Sequence, residues 1–222
     1  NPGYESESVG GSLYYNNSSG NCYSDVNNAT SACDFTTTGL KTNLKNLVGN
    51  TLWKTGTNGT NDWSSASNGL ASHFYSYERS SNTGKICSSM AAHGEYCTDT
   101  VKRTTTWNGK IGLMYPSDYG YATSGGSTSN RTSCLNKELY NWGRASDCYN
   151  NDWLYDSSIW QLTISPLAGS AYAYGVFTVN SHGHVEGGTA SYAGLVRPSL
   201  YLISKTSILG GEGTLENPYE IG

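Results

Sequence analysis

Charge is scarce in this chain. Charged residues make up 14% of its 222 positions, and the formal net charge is −4. No basic patch points to nucleic acid, and no acidic block points to a disordered tail. No apolar run approaches the ~20 residues that a membrane helix needs. A membrane is therefore expected only through an N-terminal anchor missing from this sequence. No signal peptide is visible, so the chain is expected to start after one, or after a removed anchor. No linker follows residue 12, and no internal repeat is present.

What fills the chain instead is Gly (27 residues), Tyr (18 residues), Ser, Thr and Asn. That mix suits a loop-rich extracellular protein with a neutral, polar surface. The length allows one large domain or two small ones, and is enough to bury a core without help. Residues 1–12 read as an arm or linker, and residues 13–222 as one α+β domain of antiparallel strands, two short helices and stapled loops.

The six cysteines fall in three neighbouring pairs: Cys22 and Cys33, Cys87 and Cys97, Cys134 and Cys148. Six cysteines allow fifteen connectivities. Sequential pairing is expected, because each pair brackets a polar, turn-rich segment. Each closed loop would contribute roughly 3 kcal/mol in the chain-entropy model. The close spacing and His partners of a zinc site are missing. Disulfides imply an oxidising compartment outside the cytosol. Asn16, Asn17, Asn28, Asn58 and Asn130 begin N-x-Ser/Thr sequons, of which several arise by chance in such a composition.

Taken in order, Leu13-Tyr14-Tyr15 starts an edge strand. Thr38 to Trp53 is the strongest helix signal, with Thr38 as cap, Leu40, Leu44, Leu47 and Val48 on one face, and Gly49-Asn50 as a stop or kink. Leu70 to Arg79 reads as a short strand or helical turn, and Trp107-Asn108-Gly109 as a turn. Ile111, Leu113 and Met114 form a strand. Pro116-Ser117-Asp118 opens a short helix capped by Ser117, with Tyr119 and Tyr121 packing. Residues 124–133 read as loop, and Cys134 to Trp142 as the second helix. Trp153-Leu154-Tyr155 and Ile159 to Ile164 read as strands. Ile208 to Gly222 is a glycine-rich tail.

The chain is organised around Trp160 to Leu202. It reads as two long strands joined by a turn at Ser181-His182-Gly183, then a closing run Leu195 to Leu202. Ala171, Ala173, Gly175, Phe177 and Val179 point one way, and Tyr172, Tyr174, Val176 and Thr178 the other. If Phe177 and Val179 are core, the tyrosines face outward. A segment rich in Tyr, Ser, Asn, His and Gly has the composition of a recognition surface, or of an ordinary sheet with a solvated face. Trp160, Val196, Leu200 and Leu202 are expected to be buried, and Arg197 to be held by a carboxylate or by carbonyls, since an unpaired charge in an apolar run is costly.

Three stretches carry a resemblance: GKIGLMYPSDYGYATSGG (109–126), NNDWLYDSSIWQLTISP (150–166), and AGLVRPSLYL (193–202) followed by GGEGTLENPYEIG (210–222). Together they resemble bacterial surface and pilin-like proteins with a C-type lectin-like domain. They are also similar to formylglycine-generating-enzyme-like domains and to the variable proteins diversified by retroelements. The resemblance spans roughly residues 33 to 222. It implies a C-type lectin-like fold at the cell surface or outside the cell. Trp160, Ser165-Pro166, Gly194, Val196, Arg197, Pro198 and Leu202 would be scaffold. Ser170, Tyr172, Tyr174, Asn180, His182, His184, Glu186, Ser191 and Tyr192 would face a ligand, with Trp153 nearby.

Calcium-dependent sugar binding needs a cluster of oxygen ligands, and the fold's sugar-binding motifs are missing: no Glu-Pro-Asn occurs, and Asn151-Asp152-Trp153 has related letters in the wrong order. His182, His184 and Glu186 share a face only if the strand alternation holds through the turn, so they read as solvated hairpin residues before metal ligands. His73 and His93 read as structural. No catalytic arrangement stands out, and no cofactor or metal is expected. The expected function is an extracellular adhesin- or receptor-type module for a protein or glycan ligand. The alternatives are a pilin-like filament subunit that self-associates and, last, an enzyme of formylglycine-generating type.

Overall fold

The computed structural model describes residues 42–54, 68–79, 86–87, 100–101, 106–167, 175–189, 194–213 and 217–222. The N-terminal arm, Cys22, Cys33, Cys97, Ser170, Tyr172, Tyr174, Ser191 and Tyr192 lie outside them, as does the side chain of Cys87. The elements are α1 (Thr42–Lys45), β1 (Thr51–Lys54), α2 (Ala71–Glu78), β2 (Ile86–Cys87), β3 (Thr100–Val101), β4 (Thr106–Gly109) and β5 (Ile111–Leu113). Next come α3 (Pro116–Ala122), α4 (Thr128–Leu135), a 3-10 segment (Leu139–Arg144) and α5 (Ser146–Tyr149). The rest is β6 (Gln161–Pro166), β7 (Gly175–Val179), β8 (Val185–Thr189), β9 (Leu195–Val196), β10 (Pro198–Leu200), β11 (Ile208–Gly210) and β12 (Glu220–Ile221). The class is α+β with antiparallel sheets, as expected. No helix among the described residues is long and apolar enough to cross a membrane.

The central sheet runs β8-β7-β6-β9, antiparallel except for the parallel β6–β9 edge. The hairpin turn falls at Ser181-His182-Gly183 as the sequence predicts. Gly183 has φ +80°, and a Cβ there would lie 2.4 Å from the Tyr149 ring, so only glycine fits. The sheet is covered on both faces, which the alternation did not reveal. Phe177, Val179 and Val185 join one core with Phe74, Tyr119, Leu139 and Trp142. Val176 joins a second with Trp53, Leu113, Tyr115, Leu162 and Ile164. All six residues of β6 are buried, and Thr163 Oγ1 donates to the Phe177 carbonyl at 2.7 Å. The inference that the face opposite Phe177 meets solvent therefore fails at Val176 and Thr178, both buried.

Several local readings change. In the described part of the expected long helix, helix ends at Lys45 and Trp53 lies in β1, paired opposite Trp107 of β4. Trp107-Asn108-Gly109 is thus strand, not turn. Trp53 is buried, its Nε1 donates to the Gly109 carbonyl, and its ring lies where a Cβ on Gly112 would be, 2.8 Å away. Leu70 to Arg79 holds a helix, α2. Ser127 caps α4 by accepting from Asn130 N at 3.2 Å, so helix occupies much of the expected 124–133 loop. The helix stops at Leu135, and Leu139–Arg144 is a 3-10 segment. Trp153-Leu154-Tyr155 is turn, not strand. Cys134 and Cys148 are bonded, with Cα atoms 5.5 Å apart.

The closing run is less buried than its letters suggest. Trp160 is 36% exposed and Leu202 39% exposed, while Val196 and Leu200 are half-buried. Here β9 and β10 form a sheet margin, not a central strand. β10 pairs with β5, and Met114 N donates to the Arg197 carbonyl at 3.2 Å. That pairing sets Arg197 beside the start of α3.

Candidate functional site

Three pieces converge on one open cleft: the first turns of α3, the 150–158 turn region and the start of β10. Pro116 occupies the first turn of α3, where its missing N–H costs nothing. The cap is Tyr115, not Ser117: Asp118 Oδ2 accepts from Tyr115 N at 2.9 Å. The helix therefore starts with Asp118 and Tyr121 turned toward the cleft. The turn region is fixed from several sides. Thr123 Oγ1 donates to the Cys148 carbonyl at 2.6 Å, Ser124 N to the Asn151 carbonyl at 3.0 Å, and the Cys134–Cys148 bond ties α4 to α5. Asp152 Oδ1 accepts from Leu154 N at 2.8 Å, which locks the turn and sends Leu154 into the core. Trp153, between them, projects outward and is 76% exposed.

The cleft has a volume of ≈ 530 Å³ and is lined by Met114, Asp118, Tyr121, Ala122, Trp153, Leu154, Arg197, Pro198 and Ser199. It combines an indole platform, a phenol, a carboxylate, a guanidinium and a hydroxyl over an apolar floor. Such a lining, apolar with a few convergent polar groups, is the usual composition of a small-ligand site. Arg197 Nε donates to Gln161 Oε1 at 2.9 Å, and its Nη2 stands 3.9 Å from Asp156 Oδ2. Asp156 is itself engaged by Ser158, whose hydroxyl and N–H hydrogen bonds hold its carboxyl below the usual range. Buried Asp152 has one oxygen, Oδ2, with no hydrogen-bond partner among the described residues. Burial pushes its carboxyl up to about 8, against the Leu154 N–H and Arg197.

Behind Asp118 lies a half-buried ion network. Arg79 Nη2 donates to Asp118 Oδ1 at 2.7 Å, and Nη1 to Ser117 Oγ at 2.7 Å and to Glu78 Oε1 at 2.5 Å. Ser117 Oγ also donates to Glu78 Oε1. The guanidinium is stacked between the rings of Tyr75 and Tyr115, 4.4 and 4.1 Å from their centroids. Burial lifts the Glu78 carboxyl to about 8, opposed by Ser117 and Arg79. Ser117 is fully buried, and the network clamps α2 to α3.

The hairpin tip is organised differently. Asn180 is buried; its Oδ1 accepts from His182 N at 2.8 Å and His184 N at 3.3 Å. Its Nδ2 reaches His184 Nε2 at 2.7 Å and Glu186 Oε1 at 3.0 Å, and His184 Nε2 meets Glu186 Oε2 at 3.0 Å. His184 also packs edge-on against Tyr140. His182 is exposed. The structure thus brings together Asn180, His184, Glu186 and the His182 backbone, while Trp153 lines a cleft to which no described hairpin residue contributes. Among the described residues no group of three His, Cys, Asp or Glu could hold a metal.

Asp118 and Arg197 are the site residues that the sequence reading missed. Arg197 was taken as scaffold. The signal available was one arginine in an apolar run eleven positions from the hairpin's Glu186, directly before Pro198. In comparisons with known proteins, no family model, no curated protein and no solved structure matches the chain.

Proposed function

We propose that this protein is a ligand-binding module of the cell surface or extracellular space, with a C-type lectin-like fold, and that it holds a saccharide ring on Trp153. One observation carries this reading: an indole 76% exposed on a turn that is otherwise locked, facing a cleft with polar groups at its rim. An exposed indole on a rigid support loses little entropy when a ligand covers it, and rigid aromatic anchors dominate binding energy. A pyranose offers what the cleft complements: an apolar C–H face for the indole and hydroxyls at its edge for Arg197, Ser199 and the Tyr121 hydroxyl. The Cys134–Cys148 bond supports an oxidising compartment. The α+β class with an antiparallel central sheet supports the lectin-like assignment.

The test is a glycan array followed by calorimetry on hits. Trp153→Ala is expected to weaken binding at least tenfold while the thermal midpoint stays within about 2 to 3 degrees, roughly the shift that 1 kcal/mol produces in a chain of this size. Binding that survives the substitution unchanged refutes the site.

A further inference from the structure

We infer that the ligand of the Trp153 cleft is an acidic saccharide, and that Arg197 receives its carboxylate. The inference deepens the saccharide reading above and rests on it.

Asp118 is the cleft's own carboxylate, and both of its oxygens are used. Oδ1 takes Arg79 Nη2 at 2.7 Å and Oδ2 takes Tyr115 N at 2.9 Å. Its charge is offset by the stacked Arg79 guanidinium, so it does not repel an anion as a bare carboxylate would. Asp156, the carboxylate nearest Arg197, is 3.9 Å away, beyond hydrogen-bond reach. Its Oδ1 instead takes Ser158 N at 2.9 Å and Ser158 Oγ at 2.5 Å.

Arg197 is the reverse case. Its one side-chain hydrogen bond among the described residues is made through Nε, to the neutral amide oxygen of Gln161 at 2.9 Å. That bond fixes the plane of the guanidinium, and Arg197 lines the same cleft as Trp153. A planar fork held in this way matches a carboxylate with two parallel hydrogen bonds, charge-assisted and about twice as strong as neutral ones. A sugar hydroxyl would use only one arm of the fork. Asp152, behind the turn, does not compete near neutral pH, because burial raises its carboxyl to about 8. With the ring on Trp153, a carboxylate on its edge meets Arg197 across the same cleft.

The experiment uses the full chain and two matched trisaccharides, one ending in glucuronic acid and the other in glucose, titrated by calorimetry at pH 7. The acidic member is expected to bind at least tenfold more tightly. Arg197→Gln should bring the two affinities together, with a loss on the acidic sugar at least fivefold larger than the loss on the neutral one. Should that variant fail to fold, Arg197→Lys keeps the charge without the fork and should cut the preference at least threefold. Equal binding of the two sugars, or a preference that survives loss of Arg197, overturns the acidic ligand and leaves the saccharide reading standing. If neither sugar binds and the array in the preceding section shows no hit, both fall together.

Discussion

At the hairpin tip, the single amide of Asn180 reaches the backbone N–H groups of His182 and His184 and the side chains of His184 and Glu186. In the Trp153 cleft, the Arg197 side chain makes one hydrogen bond among the described residues and the indole lies open. The two regions hold similar letters: aromatic rings, a charged pair, small polar residues. They differ in whether those groups are satisfied by the protein itself. A polar group whose bonds are closed internally stabilises a turn and offers a ligand little. A positioned group with bonds left open is available for recognition. Composition does not separate these cases; the hydrogen-bond partners do.

The largest expected effect contrasts two tryptophans eleven residues apart. Trp142 is buried without remainder and packs 5.3 Å from the Tyr119 ring centroid. Trp142→Ala should cost about 3–5 kcal/mol in denaturant unfolding, as large core aromatics do. A cost below about 1 kcal/mol would remove the distinction from Trp153. Next comes the tip itself. Asn180→Ala should cost about 2–3 kcal/mol, since it strips several bonds at once and leaves the His182 and His184 N–H groups without their side-chain acceptor. Its signature is loss of amide protection at His182 and His184 in hydrogen exchange. Unchanged protection would mean that Asn180 does not hold the turn.

A third prediction concerns pH. Burial raises Glu78 from 4.5 and Asp152 from 3.8 to about 8 in each case. The native chain then binds more protons than the unfolded chain across that interval. The stabilisation is complete below the ordinary carboxylate values and is lost as pH climbs toward 8, by at most about 1.4 kcal/mol per pH unit for each group. Denaturant midpoints between pH 5 and 8 should fall, and Glu78→Gln and Asp152→Asn should each flatten the slope. A midpoint that rises over this range would contradict both assignments. The two carboxyls also sharpen the comparison: Glu78 belongs to the closed network behind Asp118, whereas Asp152 keeps one oxygen without a partner among the described residues.

The α+β class, the hairpin turn at Gly183, the β5 strand and the Cys134–Cys148 bond were legible in the sequence because each rests on local chemistry. A turn glycine, an apolar triplet and two cysteines fourteen residues apart need no knowledge of distant contacts. What was not legible depended on what lies on the other side of a strand. Val176 alternates with Phe177, and only the presence of a second core with Trp53 and Leu162 reveals that its face is covered. Trp160 reads as core by letter, but it borders the short parallel pairing with β9 and stays 36% exposed. Trp107 looks like part of a turn until β1 pairs with it. Ser117 is a good cap by composition, yet Tyr115 holds the cap position with its N–H bonded to Asp118, and the serine turns inward to Glu78. For the site, Trp153 was legible as an aromatic worth naming, whereas Arg197 and Asp118 acquire meaning only when β10 is laid against β5.

The smallest effect is the most discriminating one. His182 sits at the tip of the hairpin with an exposed side chain, and its part in the turn is its backbone N–H, which donates to Asn180 Oδ1 at 2.8 Å. His182→Ala keeps that N–H. Stability should therefore shift by no more than about 0.5 kcal/mol, the usual range for surface substitutions. Ligand binding in the Trp153 cleft should also be unchanged, because no described hairpin residue lines the cleft. A surface spanning the hairpin and Trp153 together, which the sequence suggested, predicts the opposite: His182→Ala and Trp153→Ala would weaken binding in parallel, and the double variant would show coupling. Calorimetry on the two single variants and the double variant decides between them. A loss at His182 comparable to that at Trp153 would extend the ligand surface onto the tip and make the closed hydrogen bonds of Asn180 a support for recognition.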